Sequence, residues 1–321
     1  NVVLKPSEHT PLSALYIKEL WDKHIGYNNA FNIVVGDSKV GKMLVSSNKI
    51  DMICFTGSTK VGKTIAKTCA ETLKPLVLEL GGKDPLIILR DADLKRAVES
   101  SLFAGFSNAG QTCISVEDVF VEEAVFDQYL DIMTKRVKSM SSGNEDAMEI
   151  GSMIMEPNCN KVKEYIDDIA DKDKIISGHS IDHKMYIAPT LVVNPPDDSK
   201  LVNQETFGPV ICIRSFNTQD ELLKMVHKTG YGLAGSIFGR NKKRIKKLLR
   251  ELKIGNVSIN DVFTHYGIAS LPFGGEGLSG LGRLHGKEGL RALCRIKSIV
   301  ENKFWFIPDP WWFNRPPSIN K

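Results

Sequence analysis

The chain has 321 residues, of which 25% are charged and 42% hydrophobic, and its formal net charge is +4. These values exclude a disordered, collagen-like or supercharged protein, and the charge is too small to call for nucleic acid or an anionic membrane as a partner. No apolar run approaches the roughly 18 residues of a transmembrane segment, and the length suggests about two domains.

From residue 1 to about 120, short β-branched runs at 2–4, 33–35, 52–55 and 76–80 alternate with helical patterns at 11–23, 39–46 and 59–73. Such alternation predicts βαβ units around a parallel sheet. Thr10-Pro11 reads as a helix start, a capping residue before proline at the first helical position. Longer helices are predicted at 94–106, 125–139 and 160–170, and the Asp-, Lys- and Pro-rich stretch 151–196 reads as surface loops. Strand and helix pairs follow at 210–216 with 219–229 and at 236–238 with 242–252. A glycine-rich loop at 274–282 leads to a helix at 287–293. The tail, 303–321, sets Trp305, Trp311 and Trp312 among Pro308, Pro310, Pro316 and Pro317. It reads as an arm that packs on another surface, because those prolines exclude a membrane helix.

Six cysteines, at 54, 69, 113, 159, 212 and 294, form no C-x-x-C pair. No metal site and no disulfide framework is indicated, and reduced thiols point to a cytoplasmic protein.

Two glycine motifs need weighing. Gly57-Ser58-Thr59-Lys60-Val61-Gly62-Lys63-Thr64 satisfies the phosphate-binding pattern G-x-x-x-x-G-K-[ST] between an apparent strand and a helix. Phosphoryl transfer is therefore a remote alternative. Against it, Gly36 to Lys42 repeats the G-x-x-x-x-G-K part but ends in Met43, which has no magnesium-binding hydroxyl. Gly275-x-Gly277-x-x-Gly280 matches a dinucleotide fingerprint, but no suitable strand precedes it. A loop approached closely by other backbone explains it better.

Cys113 follows Asn108-Ala109-Gly110-Gln111-Thr112, small and polar residues that predict an exposed turn, whereas Cys54 and Cys212 sit in strand patterns. Upstream, Glu79 interrupts the apolar run Leu76-Val77-Leu78-Glu79-Leu80 and precedes Gly81-Gly82. A carboxylate at the end of a buried strand is costly unless it is used, and parallel sheets bind ligands at those ends. Glu79 is a candidate general base and Cys113 a candidate nucleophile.

At these residues the chain resembles the aldehyde dehydrogenase superfamily. The matching segments are Lys5-Pro6-Ser7-Glu8, Phe55-Thr56-Gly57-Ser58, Glu79-Leu80-Gly81-Gly82-Lys83, Gly110-Gln111-Thr112-Cys113, Glu205-Thr206-Phe207-Gly208-Pro209-Val210 and Leu271-Pro272-Phe273-Gly274-Gly275. Their order and spacing carry the resemblance, not any one of them. It implies that Cys113 attacks an aldehyde to give a thiohemiacetal, that hydride passes to NAD, and that Glu79 activates water against the thioester. Lys5 and Glu8 resemble the pair on the adenosine ribose; Glu8 would repel a 2′-phosphate, so NAD is expected, with NADP possible. Gly57 and Ser58 resemble the pyrophosphate site at a helix N-terminus. Leu80, Glu205 and Phe207 resemble residues on the cofactor's nicotinamide side. Thr112, Ile114 and Phe273 are candidates for the substrate pocket. A surface ion pair would explain Lys5 and Glu8 equally well without the family, a solvated loop acid would explain Glu205, and core packing Phe207.

The resemblance corresponds to the last two thirds of family members. It implies that a first strand, with the asparagine that forms the oxyanion hole beside the Cys113 amide, is not among these residues. On that expectation 1–321 alone folds poorly and does not turn over, and it is an excerpt, a truncated product or half of a split enzyme. Gly277 replaces the lysine of many relatives, and with His285-Gly286-Lys287 the segment resembles the dimeric branch for fatty and aromatic aldehydes.

The expected fold is α/β: a doubly wound nucleotide-binding part at 1–82, a catalytic α/β domain at 83–270, and an entrance loop, return segment and oligomerisation arm at 271–321. The expected activity is NAD-dependent aldehyde oxidation by a homo-oligomer, dimer or tetramer, with no metal. A protein that keeps the fold but is catalytically impaired is the alternative.

Overall fold

The structure, a computed structural model, describes residues 1–27, 29–146, 148–307, 309 and 311–313. It begins with β1 (Val2–Leu4), α1 (Leu12–His24), β2 (Phe31–Ile33), α2 (Ser38–Ser46), β3 (Ile53–Thr56), α3 (Thr59–Glu71) and β4 (Leu76–Glu79). Then come β5 (Asp84–Ile88), α4 (Leu94–Phe106), β6 (Val116–Glu122), α5 (Phe126–Ser139), β7 (Ser141–Ser142), α6 (Glu156–Asp167), β8 (Ile175–Ser177), β9 (His179–Ser180) and β10 (Thr190–Val193). The last part holds α7 (Lys200–Asn203), β11 (Val210–Phe216), α8 (Gln219–His227), β12 (Ala234–Phe238), α9 (Lys242–Glu251), β13 (Asn256–Ile259), α10 (Thr264–Gly267), β14 (Gly280–Leu281) and α11 (Gly286–Ala292).

The main sheet runs β13-β12-β5-β6-β11-β10-β8 and is parallel except for β8 on β10. Its middle strands are covered on both faces, as parallel strands require. Leu86, Ile88, Val119 and Val121 point into a core shared with α4, α5 and α6. Ile87, Leu89 and Phe120 point the other way, against Leu222 and Val226 of α8 and Ile245 and Leu248 of α9. This is the two-residue alternation of a strand buried twice. Three of the surrounding helices, α4, α8 and α9, start on side-chain caps: Asp93 accepts from Arg96 N, Thr218 from Glu221 N and Asn241 from Arg244 N.

The expected doubly wound sheet at 1–82 is two strips among the described residues. One is β1 with β2, and the other is β14-β4-β3. The third strand of the second strip comes from far along the chain, Gly280 pairing antiparallel with Glu79. β2 ends two residues before the predicted strand does, because its last bond is Val34 N to Leu4 O and the chain then departs toward Gly36. α1 has no side-chain cap, so Thr10 does not act as one. α6 starts earlier than predicted, with Pro157 in its first turn, where a missing N–H costs nothing.

β6 carries no strand prediction, since it reads Val-Glu-Asp-Val-Phe-Val-Glu, yet all seven of its residues are buried. Its acids are matched instead: Glu117 with Lys83, Asp118 with Arg214, and Glu122 with Arg90 and Arg244. In the tail, Trp305 and Trp311 are exposed. Pro308, Pro310 and residues 314–321 of the expected arm lie outside the described residues. Among the described residues no helix is long and apolar enough to cross a membrane.

Candidate active site

The end of β4 is fixed by backbone on both sides. Gly57 N donates to the Glu79 carbonyl at 3.0 Å, and Leu80 N donates to the Ser279 carbonyl at 3.0 Å. The Glu79 side chain is 5% exposed and neither carboxylate oxygen has a protein partner. Burial pushes its pKa up to about 7, against the nearby Arg283 charge. A buried carboxylate left unpaired at a strand end is the arrangement of a base waiting for a reactant.

The Gly81-Gly82 turn that directly follows Glu79 is where two other candidate residues, Cys113 and Glu205, meet. A side chain at Gly81 would fall on the Glu205 carboxylate, and Gly82 N donates to Glu205 Oε1 at 3.1 Å. A Cβ on Gly82 would lie 2.5 Å from the Cys113 carbonyl and 2.6 Å from Asp84 Oδ1. Absence of side chains here lets the Glu205 carboxylate and the Cys113 backbone crowd one turn, while the Glu79 carboxylate lies against Gly274.

Cys113 is presented by a backbone kink in which Asn108, Ala109 and Gly110 are successively left-handed, with φ of 54°, 55° and 69°. Asn108 Nδ2 donates to the Gln111 carbonyl and Gln111 Nε2 to the Asn108 carbonyl, while Gln111 Oε1 accepts from Ile154 N at 2.9 Å. The thiol is half-buried, not exposed as the turn-rich sequence predicts, because Ile114, Leu233, Ala234 and Phe273 pack around it. Cys54, placed in a strand by the sequence, is the exposed one, since β3 is a sheet edge. Burial, followed by the negative charges of Asp84, Glu79 and Glu205, pushes the Cys113 pKa up to about 11. It is a neutral thiol near pH 7 and needs a base to become a nucleophile.

Glu205 is half-buried and its pKa is pushed to about 7, by burial first and by the Glu117 charge second. Phe207, two residues on, holds a left-handed φ of 54°. Lys161 Nζ donates to the Glu205 carbonyl at 3.2 Å, and burial lowers the lysine's pKa. Lys161, Asp84, Lys83 and Glu117 surround the site without having been singled out in the sequence. The signal available for them was weak: an acidic pair, Glu117-Asp118, in an otherwise apolar run.

The remaining candidates lie along the second strip and around it. Lys5 is 3.7 Å from Glu8 and also donates to the Gly36 carbonyl at 2.7 Å. Ser58 is the N-cap of α3, accepting from Val61 N, and Leu80 is buried against Gly62. The phosphate-loop string does not form such a loop. Gly62, Lys63 and Thr64 are already inside α3, Gly62 N donates to the Ser58 carbonyl, and the Thr64 hydroxyl donates to the Lys60 carbonyl. Those groups are spent on the helix and cannot cradle phosphates. The 274–282 segment is a loop with a 3-10 turn at Gly277–Ser279, and a side chain on Gly280 would strike the Leu78 carbonyl. Thr112 and Ile114 flank the thiol in sequence. Phe273 is 4% exposed, stacked on His265 with centroids 6.1 Å apart and edge-on to Tyr266 at 5.0 Å, so it backs the thiol from behind. Among the described residues no three His, Cys, Asp or Glu side chains are grouped to hold a metal ion.

Residues 1–299 match the family model described as "Aldehyde dehydrogenase family". A betaine aldehyde dehydrogenase of Vibrio vulnificus is 34% identical over 307 residues, covering 93% of this chain and 63% of that protein. The NAD+ complex of an aldehyde dehydrogenase from Bacillus cereus superposes with a TM-score of 0.87 at 33% identity, over 93% of this chain and 62% of that one. An E. coli NADP-dependent enzyme superposes at 0.83 with 33% identity, over 90% and 61%. The chain thus spans about 63% of the length of the first curated relatives it matches.

Proposed function

This chain belongs to the aldehyde dehydrogenase family, and from that premise we propose that it serves the NAD-dependent oxidation of an aldehyde to a carboxylic acid, with Cys113 as nucleophile and Glu79 as base. The observation that carries this reading is that Cys113 and Glu205 both meet the Gly81-Gly82 turn directly after Glu79, with the Glu79 and Glu205 charges both acting on the Cys113 thiol.

The residues present fit a dinucleotide. At the start of α3 the Thr59 and Lys60 amides have no intrahelical acceptor, and beside Gly57 and Ser58 they offer donors to a pyrophosphate. The Lys5–Glu8 pair suits ribose hydroxyls at one end, and Leu80, Glu205 and Phe207 suit the nicotinamide side at the other. Glu8 is half-exposed and carries its charge where a 2′-phosphate would approach, which favours NAD over NADP. When bound, NAD supplies the hydride acceptor that turns a thiohemiacetal into a thioester.

The chain's own residues do the rest. The Cys113 proton leaves to water in the site, and Glu79, close to half ionised near neutral pH, keeps its capacity to take a proton for the later hydrolysis. The thiolate adds to the aldehyde carbon, and the Cys113 amide is placed to donate to the resulting oxyanion. Glu79 later removes a proton from the water that cleaves the thioester. Thr112, Ile114 and Phe273 form the wall around the reacting carbon. The organisation that goes with this is a nucleotide-binding part at 1–82, a catalytic domain at 83–270 and a return segment at 271–321, of which β14 rejoins β4. A homo-oligomer, dimer or tetramer, accords with the apolar side chains left exposed, and a cytoplasmic setting accords with six free cysteines.

With the family's preceding segment supplied, fused or as a separate chain, Cys113→Ser should abolish NADH formation from an aldehyde while leaving the affinity for NAD, read by calorimetry, within about threefold. Loss of a nucleophile costs many powers of ten, so a variant keeping a tenth of the wild-type rate would remove Cys113 from this role.

A further inference from the structure

Glu117 stands on β6, next to the middle of the main sheet, and its side chain is 4% exposed. Four hydrogen bonds from three donors end on this one carboxylate. Thr206 N reaches Oε1 at 3.0 Å and Oε2 at 2.9 Å, Phe207 N reaches Oε1 at 2.9 Å, and Lys83 Nζ reaches Oε2 at 2.7 Å. Lys83 is 1% exposed, lies directly after the Gly81-Gly82 turn, and is also 3.9 Å from Asp118, which Arg214 meets at 3.2 Å. The negative charge is therefore held from below by a buried lysine and faces the 205–207 backbone from above.

That backbone is not in a conformation it would choose alone. Phe207 is left-handed, a costly conformation for a residue that bears a side chain. Glu205 must meanwhile reach back to Gly82 N. Two adjacent amides aimed at one acceptor impose this bend, and the acceptor sits on the rigid part of the sheet. We infer that Glu117 is a positioning residue: it sets the bend at 205–207, and through it the place of Glu205 and Phe207 beside the nicotinamide end of the cofactor. The inference rests on the reading given under Proposed function, and it adds a residue that touches neither the substrate nor the cofactor.

Glutamine is the informative replacement. It has the shape of glutamate, but one of its two terminal atoms is a donor. Whichever way it turns, an NH2 group faces Lys83 Nζ or the 206–207 amides, all of them donors, so the bend cannot keep its full set of bonds. A shift of about 1 Å in reacting groups costs on the order of 100-fold. In the purified protein, Glu117→Gln should lower the single-turnover rate of NADH formation by about 10- to 100-fold. The affinity for NAD should stay within about threefold, because the Lys5–Glu8 and α3 contacts are untouched, and the alkylation rate of Cys113 by iodoacetamide should not change. If Glu117→Gln does not fold, Glu117→Asp serves instead: it keeps the charge opposite Lys83 but is one methylene too short to reach both Lys83 and the two amides. It should show the same pattern with a smaller loss.

A single-turnover rate within about threefold of wild type in these variants would overturn the proposal. So would a joint collapse of rate, NAD affinity and thiol reactivity, which would make Glu117 a part of the core only. Failure of the underlying reading would look different: the wild-type protein itself would form no NADH from any aldehyde, and the proposal would fall with it.

Discussion

At the scale of single residues the site is governed by what Glu79 lacks. Its carboxylate has no protein partner, and burial raises its pKa from 4.5 to about 7. Between those two values the folded chain keeps a proton that the unfolded chain has released, so unfolding gains ground as pH rises. Below about pH 4.5 the group costs the fold nothing, and above about pH 7 the whole cost is present. Glu79→Gln should therefore raise the melting temperature at pH 8 and leave it unchanged near pH 4. In the same variant NADH should appear as a burst, followed by a steady rate lower by about 100- to 10,000-fold, the usual worth of a general base. An unchanged steady rate, or a melting gain equal at both pH values, would contradict the role. Glu79 and Cys113 were legible in the sequence because each breaks its surroundings, a charge in an apolar run and a thiol after a small-residue turn. Lys83 and Glu117 were not, because their meaning lies in a pairing 34 positions apart that only the sheet brings about.

At the scale of elements, the longer helices and the strands β1, β3, β4, β11 and β12 followed from periodicity, while β5, β8, β10, β13 and above all β6 carried no strand prediction. In β6, Glu117, Asp118 and Glu122 look like a solvated face, yet four basic partners from elsewhere in the chain, Lys83, Arg214, Arg90 and Arg244, let the strand run through the interior. Charge in a sequence reports solvent only when no countercharge arrives from elsewhere. The Ser107–Gly110 kink is another element that sequence could not draw. Glycine at 110 suggested a turn, but not that Asn108 and Ala109 would share its left-handed backbone. Gly110 also lies against the Gly208 carbonyl, where a side chain has no room. Gly110→Ala should cost at least about 1–3 kcal/mol from backbone strain alone, seen as a lower urea midpoint, and should slow Cys113 chemistry by displacing the thiol. A variant as stable as wild type would mean that the kink is not held as described.

At the scale of the whole molecule, the middle of the main sheet is covered on both faces while the flanks are not. On α1, Leu12, Tyr16 and Ile17 are exposed, and beyond α11 so are Ile296, Ile299 and Val300, the last to 95%. Apolar surface gathered in this way marks a contact with another chain or segment. For the homo-oligomer proposed above, sedimentation equilibrium should give a mass that is an integral multiple of one chain. A single-chain mass at micromolar concentration would reject it. The sequence pointed to a parallel α/β architecture, but the assembly of these flanks was not written in local pattern, since exposure is a property of neighbours and not of spacing.

The pairing of Gly280 with Glu79 has a consequence for the way the protein is made. About 200 residues separate the two partners, and a ribosome adding roughly 5–20 residues per second needs some tens of seconds to bridge them. Throughout that interval β4 has emerged without its antiparallel neighbour, and Leu80 N has no Ser279 carbonyl to meet. Cys113 is already outside as well, on a chain whose base is not yet fixed. The reactive centre thus matures last, on the arrival of a two-residue strand. A nascent chain stalled before residue 280 would carry the nucleophile but not the backbone that seats its base.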